Sequence, residues 1–176
     1  MEKFAKTAMW LCIGALAVLT TIVVAKAITF DIECEGHIKL AADANSIELA
    51  KTELKTAIDY AKAHGLTEGY TSVWFRVPTD NLAFWYNNMT SAYKELCDLP
   101  TDATPLEKTN VLMKLRETLL DSGEKGDVVT HPDGISVYPH NKAYAYTALG
   151  LFGLMVLFMV LWFYGWDIEY WWRNRN

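Results

Sequence analysis

Two stretches of this chain, Thr7–Ala25 and Ala143–Trp166, contain no Asp, Glu, Lys, Arg or His. As helices rising about 1.5 Å per residue they would cover about 28 Å and about 36 Å, against a bilayer hydrocarbon thickness of about 30 Å. The first matches that thickness, and the second must tilt or reach into the headgroups. A simple soluble globule is excluded. Intrinsic disorder is excluded as well, because aromatic and aliphatic residues run throughout the segment between the two stretches. Lys3, Lys6 and the Ala25-Lys26-Ala27 triplet also suit a cleaved secretory signal, but the apolar run exceeds the roughly 7–15 residues of a signal core. A retained anchor is the expectation.

The flanks agree with two spans. Tyr144 and Tyr146 mark one interface of the second run. Trp162, Tyr164, Trp166, Tyr170, Trp171 and Trp172 mark the other, where amphipathic rings favour the headgroup zone. Lys3 and Lys6 before the first run, with Arg173 and Arg175 after the second, predict both termini on the cytoplasmic side. The expected organisation is a short cytoplasmic N-terminus (1–6), a transmembrane helix (7–25), a domain (26–142), a second transmembrane helix (143–166) and a short interfacial tail (167–176). That domain would be periplasmic, extracellular or lumenal. Neither span carries an ionisable group of the kind that marks a proton or ion pathway. Gly150 and Gly153 form a small-residue patch where another helix can approach closely.

The middle segment, 29–142, holds 18 acidic and 11 basic residues. This acidity argues against nucleic acid as a partner, since no basic surface is available for counterion release. Its first helix is expected over His37–His64, ended by Gly65. Leu40, Ala44, Ile47, Lys51, Leu54, Ile58 and Ala61 would form its packing seam. Tyr70–Val77 reads as a strand because Tyr, Thr, Val, Trp and Phe favour extended backbone, and Pro78 discourages its continuation.

The next helix, about Asn81–Asp98, would be capped by Thr79 or Asp80 and bury Leu82, Trp85, Met89, Ala92, Tyr93 and Leu96. Phe84, Trp85 and Tyr86 fan over about 200° of its circumference, so they cannot share one buried face. Thr104-Pro105-Leu106-Glu107 is a capping box with proline at the first helical position, opening a helix that Gly123 should end. Leu112, Leu115 and Leu119 would face inward. Val128–Thr130 and Ile135–Tyr138, joined through Pro132-Asp133-Gly134, read as a hairpin to which the 70–77 strand can add. The expected fold is a membrane protein with two transmembrane helices flanking a mostly helical α+β domain of three helices, one strand and a β-hairpin.

Chemistry-bearing motifs are sparse. No nucleophile elbow, Walker loop, dinucleotide fingerprint or paired-carboxylate arrangement is evident, so no catalytic residue, cofactor or metal is assigned. Asp31, Glu33, Cys34, Glu35 and His37 are the densest group of possible ligands, but their spacing matches no metal motif and reads as a hydrated linker. Cys34 and Cys97 are the two cysteines outside the apolar runs. A bond between them would stabilise an extracytoplasmic domain by about 4 kcal/mol.

These features predict a nonenzymatic integral-membrane subunit or scaffold, with membrane lipids and membrane-protein partners or self-association as its contacts. The alternative is an extracytoplasmic ligand sensor that signals through its spans to a partner. In either case Phe84, Trp85 and Tyr86, with Gly150 and Gly153, are the candidate interface residues.

Overall fold

The computed structural model describes residues 2–123 and 126–173, and the side chains of 3–123 and 126–164. Helices dominate: α1 (Glu2–Phe30), α2 (Gly36–Ala42), α3 (Ile47–Ala63), α4 (Leu82–Asp98), α5 (Pro105–Leu119) and α6 (Asn141–Arg173). One antiparallel pair, β1 (Leu120–Gly123) with β2 (Gly126–Val129), completes the regular structure. The chain divides into two compact units. One comprises 1–25 and 140–176, and the other is Lys26–Pro139.

In the first unit, α1 and α6 are both long and apolar enough to cross a membrane. The edge of Phe4 meets Phe158 at 6.2 Å between ring centres. Most of their large apolar side chains, including Leu11, Val18, Phe152 and Leu157, are exposed in the isolated chain. Within a bilayer such side chains lie against acyl tails, which are as apolar as they are.

The second unit is built around α3. A five-residue π-helical stretch, Asp31–Glu35, joins α1 to α2, and helical dihedrals persist at Phe30, Glu35 and Gly36. The amide of Gly36 donates to the carbonyl of Asp31, five residues back. Phe30, Cys34, Ile38, Ala41 and Ala42 are thereby all buried. Opposite them α3 buries Ile47, Ala50, Leu54, Ala57 and Ala61 at alternating spacings of three and four. Three of these five are alanines, whose small side chains let the helices approach closely, and the Cys34 thiol reaches the Ala57 carbonyl at 3.8 Å.

The long helix expected over His37–His64 is therefore two helices. Asp43, Ala44 and Asn45 leave the helical path, and Ser46 caps α3 by accepting from the Leu49 amide at 3.3 Å. The expected seam fails at Leu40, which is exposed, and at Ala44, Lys51 and Ile58, which are only half-buried; Ala50 and Ala57 take the core register beside Lys51 and Ile58. Gly65 does end α3. It adopts φ +68°, and Leu66 N–H donates to the Ala61 carbonyl at 2.8 Å, satisfying an orphan acceptor of the last turn.

Tyr70–Val77 is not a strand. Only an isolated bridge between Tyr70 and Asn81 forms. Ser72 turns the segment back on itself by donating to Asp80 at 2.7 Å and accepting from the Val77 amide at 3.4 Å. Serine and aspartate competing locally for backbone partners override the β-propensity of the intervening aromatics. The cap of α4 is likewise Asn81, not Thr79 or Asp80, and it accepts from the Phe84 amide at 3.2 Å. α5 carries the expected capping box: Glu107 accepts from the Thr104 amide at 2.7 Å, and Thr104 Oγ1 accepts from the Glu107 amide at 3.3 Å. The Thr104 amide, and after it the Thr104 hydroxyl, which donates to the same carboxylate at 2.8 Å, hold the Glu107 carboxyl below its ordinary range.

The hairpin lies earlier than the sequence suggests. Leu120 pairs with Val129 and Gly123 with Gly126, so α5 ends at Leu119, not at Gly123, and Leu120–Gly123 is itself a strand of the hairpin. The Pro132-Asp133-Gly134 turn forms, with the Ile135 amide donating to the Pro132 carbonyl at 3.3 Å. After Gly134 at φ +69° the chain enters a 3-10 turn, Ile135–Val137, instead of a strand. Val129 is already paired with Leu120, and both Ile135 and Val137 are buried. The domain thus has four helices, a short two-stranded hairpin and no third strand among its described residues.

Candidate functional site: an aromatic-rimmed cleft

One broad cleft of about 820 Å³ opens on the Lys26–Pro139 unit, between α4, the end of α5, the hairpin and the 70–81 loop. That volume falls in the range typical of ligand pockets, about 300–1,000 Å³. Its floor is the outer surface of the core: Trp85, Met89, Leu119 and Val129, each buried. Tyr70, Phe84 and Val128 stand exposed on its rim. The guanidinium of Arg76 lies 5.3 Å from the centre of the Tyr70 ring, a cation–π arrangement. Asp80, Asp121 and Asp133 add carboxylates.

His131 joins the cleft to the helix that opens the domain. Its Nε2 lies 3.4 Å from a Glu35 carboxylate oxygen, its Nδ1 lies 3.1 Å from the Pro132 carbonyl, and its ring meets Phe30 edge-on at 5.4 Å. The segment that frames the cleft is held from below. Thr71 N–H donates to the Asp80 carbonyl at 3.1 Å, Leu82 N–H to the Gly69 carbonyl at 3.0 Å, and the Tyr138 hydroxyl to the Glu68 carbonyl at 2.9 Å. Gly69 adopts φ +101° directly beneath the Tyr138 ring, and a Cβ there would collide with the hydroxyl. Only glycine fits both the dihedral and the space.

The three consecutive aromatics of α4 diverge as their spacing requires. Trp85 is 5% exposed, Phe84 64%, and Tyr86 is half-buried against the core. Gly150 and Gly153 face open space in the isolated chain, with nothing within 4 Å of the point where a Cβ would stand. Tyr164 is exposed and Trp162 packs on Phe163 at 5.4 Å. The side chains of Trp166, Tyr170, Trp171 and Trp172 lie outside the described residues.

The expected Cys34–Cys97 bond does not form. Cys34 is sealed between α3 and the π-helical stretch, whereas Cys97 is exposed on α4. Cys97 instead shares a hydrogen bond with Tyr93 one turn earlier, which raises that phenol above its ordinary range. The Asp31–His37 ligand group is helical and not a linker, so its side chains diverge. Cys34 turns into the core, Glu35 faces His131, and His37 Nδ1 lies 2.6 Å from Glu53. Among the described residues no three His, Cys, Asp or Glu side chains are grouped to hold a metal ion.

Sequence reasoning missed Trp74, Phe75 and Arg76 as surface residues by assigning them to a strand. Trp74 and Phe75 are 61% and 82% exposed. The available signal was the neighbouring Ser72, Pro78 and Asp80, which are turn-forming residues on both sides of a short aromatic run. Compared with known proteins, the chain matches no family model, no curated protein and no solved structure.

Proposed function

We propose that the protein is a nonenzymatic integral-membrane subunit or scaffold, whose domain receives a segment of a partner protein in the aromatic-rimmed cleft. The observation that carries this reading is the cleft itself, with an apolar floor continuous with the core and a rim of exposed aromatic and charged side chains. Aromatic and Arg side chains with an apolar centre are the composition of protein contact surfaces. Two helices apolar enough to span a bilayer flank the domain in sequence. In this reading both termini are cytoplasmic, from Lys3, Lys6, Arg173 and Arg175, and the domain is extracytoplasmic. Gly150 and Gly153 supply a surface for a partner's helix.

Native mass spectrometry of the chain extracted gently from its own membrane tests the proposal. A reproducible heteromeric stoichiometry, lost on Phe84→Ser, supports it; a monomer with no stable partner refutes it.

A ligand sensor is the second reading. It is favoured by one feature, the continuity of helical backbone from α1 through Asp31–Glu35 into α2, because the same helix bears an apolar run and the core residues Phe30, Cys34 and Ile38. A ligand in the cleft would act on that helix through the His131–Glu35 contact. Ligand-dependent change in the spacing of the two spans, measured by spin labels, separates this reading from a passive scaffold.

A further inference from the structure

The 71–78 loop gives Arg76 and Pro78 to the cleft wall, but its Trp74 and Phe75 lie outside the cleft lining. Trp74 and Phe75, both largely exposed, stand at its tip beside Val77 and Arg76. The base of the loop holds these two exposed rings outward. The Ser72–Asp80 and Ser72–Val77 hydrogen bonds, with the Asp80 amide donating to the Val77 carbonyl at 3.0 Å, close the loop at its neck. A loop closed in this way presents its tip with little further loss of conformational entropy on binding.

Three observations identify what covers it. First, the pairing of Trp and Phe with a flanking guanidinium is the chemistry of the headgroup zone, where rings meet the acyl boundary and Arg meets lipid phosphate. Second, Arg76 makes no ion pair with any described residue, and its stacking on Tyr70 leaves its charge available to a phosphate. Third, both ends of the domain, at Lys26 and Pro139, continue in sequence into the apolar helices. A domain of this length has a radius of gyration of about 13 Å, so a bilayer holding those helices is present at high effective concentration.

We propose that the 71–78 loop is an interfacial anchor: Trp74 and Phe75 seat in the headgroup region of a phospholipid bilayer and Arg76 binds lipid phosphate. This rests on the reading of α1 and α6 as membrane spans.

The test places an environment-sensitive fluorophore at Phe75→Cys in the full chain, with Cys12→Ala and Cys97→Ser removing other reactive thiols and Cys34 shielded by burial. A second chain carries the label at the exposed Lys108→Cys on α5 as a control. Both are reconstituted in phosphatidylcholine vesicles containing lipids with a nitroxide in the shallow acyl region. The expected result is a blue-shifted label at 75, quenched several-fold more strongly than the label at 108. Emission at 75 as water-like and iodide-accessible as at 108 overturns the inference. A blue shift without lipid quenching also overturns it, because a protein surface or second copy then covers the loop. Flotation of the vesicles in alkaline carbonate reads the spans separately. A chain that floats while its loop is silent to lipid loses the anchor and keeps the subunit reading, and a chain that does not float loses both.

Discussion

α3 and the 70–84 segment treat their apolar residues in opposite ways. α3 hides Ile47, Ala50, Leu54, Ala57 and Ala61 along one face, whereas the later segment leaves Trp74 and Phe75 mostly in solvent. The difference is not one of hydrophobicity, since the exposed residues are the larger ones. It comes from backbone punctuation. A regular helix sorts side chains by period, while Ser72, Pro78 and Asp80 fold the loop back on itself before any period can turn its aromatics toward the core. Burial maintains the fold in one region, and exposure leaves the other available for contact.

Adjacent residues on α4 give the largest test of that contrast. Trp85→Ala should destabilise the domain by about 3–5 kcal/mol, the cost of emptying a buried aromatic site. Phe84→Ala should stay within about 0.5 kcal/mol of the parent, as exposed positions usually do. Thermal melting of the full chain in micelles, followed by circular dichroism, reads both, and equal losses would erase the distinction between buried and presented aromatics. Leu54→Ala, on the hidden face of α3, should cost about 2–5 kcal/mol by the same measurement; a loss as small as that of Phe84→Ala would mean the core is not centred on α3.

Gly69→Ala comes next, with a loss of about 1–3 kcal/mol from backbone strain alone, enlarged by the collision with Tyr138. Its second signature is loosening of the 70–81 loop, read as faster amide exchange at Thr71 and Leu82. Unchanged exchange there would separate the loop from its supposed base.

Thr104→Ala should cost about 1 kcal/mol through loss of the cap, and it carries a pH signature. The capping box lowers the Glu107 pKa in the folded state, so its contribution is present above the unfolded carboxyl pKa and is lost as pH falls through the lower folded value. The gap between the parent and Thr104→Ala melting curves should narrow on acidification through that window, as the Thr104 hydroxyl loses its bond to the carboxylate, and keep the part due to the Glu107 amide's bond to Thr104 Oγ1. A constant gap down to the acid limit would show that the carboxylate is not part of the cap. The smallest stability effect is expected for Phe75→Ser, whose side chain is 82% exposed. Melting should be nearly unchanged while lipid contact is lost, and a large drop in melting temperature would assign Phe75 to the fold.

Much of this was legible in the sequence where periodic signals acted alone. The two apolar runs, the Thr104–Glu107 box, the Gly65 stop and the buried Leu82, Trp85, Met89 and Leu96 all follow from local pattern. What failed was competition between local signals. The long helical period across 37–64 concealed Ser46 as a cap, and the β-propensity of Val73–Phe75 concealed the Ser72 turn. The hairpin was displaced because 123–126 and 132–134 both carry turn residues, and pairing of Val129 back onto Leu120 takes the first of them. The cleft was not legible at all. It is assembled from residues 70 through 133, and no spacing along the chain encodes that convergence.

The Tyr138 hydroxyl that holds the Glu68 carbonyl reaches back across 70 residues, and α6 begins at Asn141. On a ribosome this fixes an order of events. The core lacks Ile135 and its clasp on the 68–69 turn until almost the last residue before the second apolar helix has been made. At about 5–20 residues per second, well under a second then separates the residue that closes the domain from the first residue of that helix. No pause before Ile135 is made can therefore complete the domain, because its last core residue and the Tyr138 clasp do not yet exist.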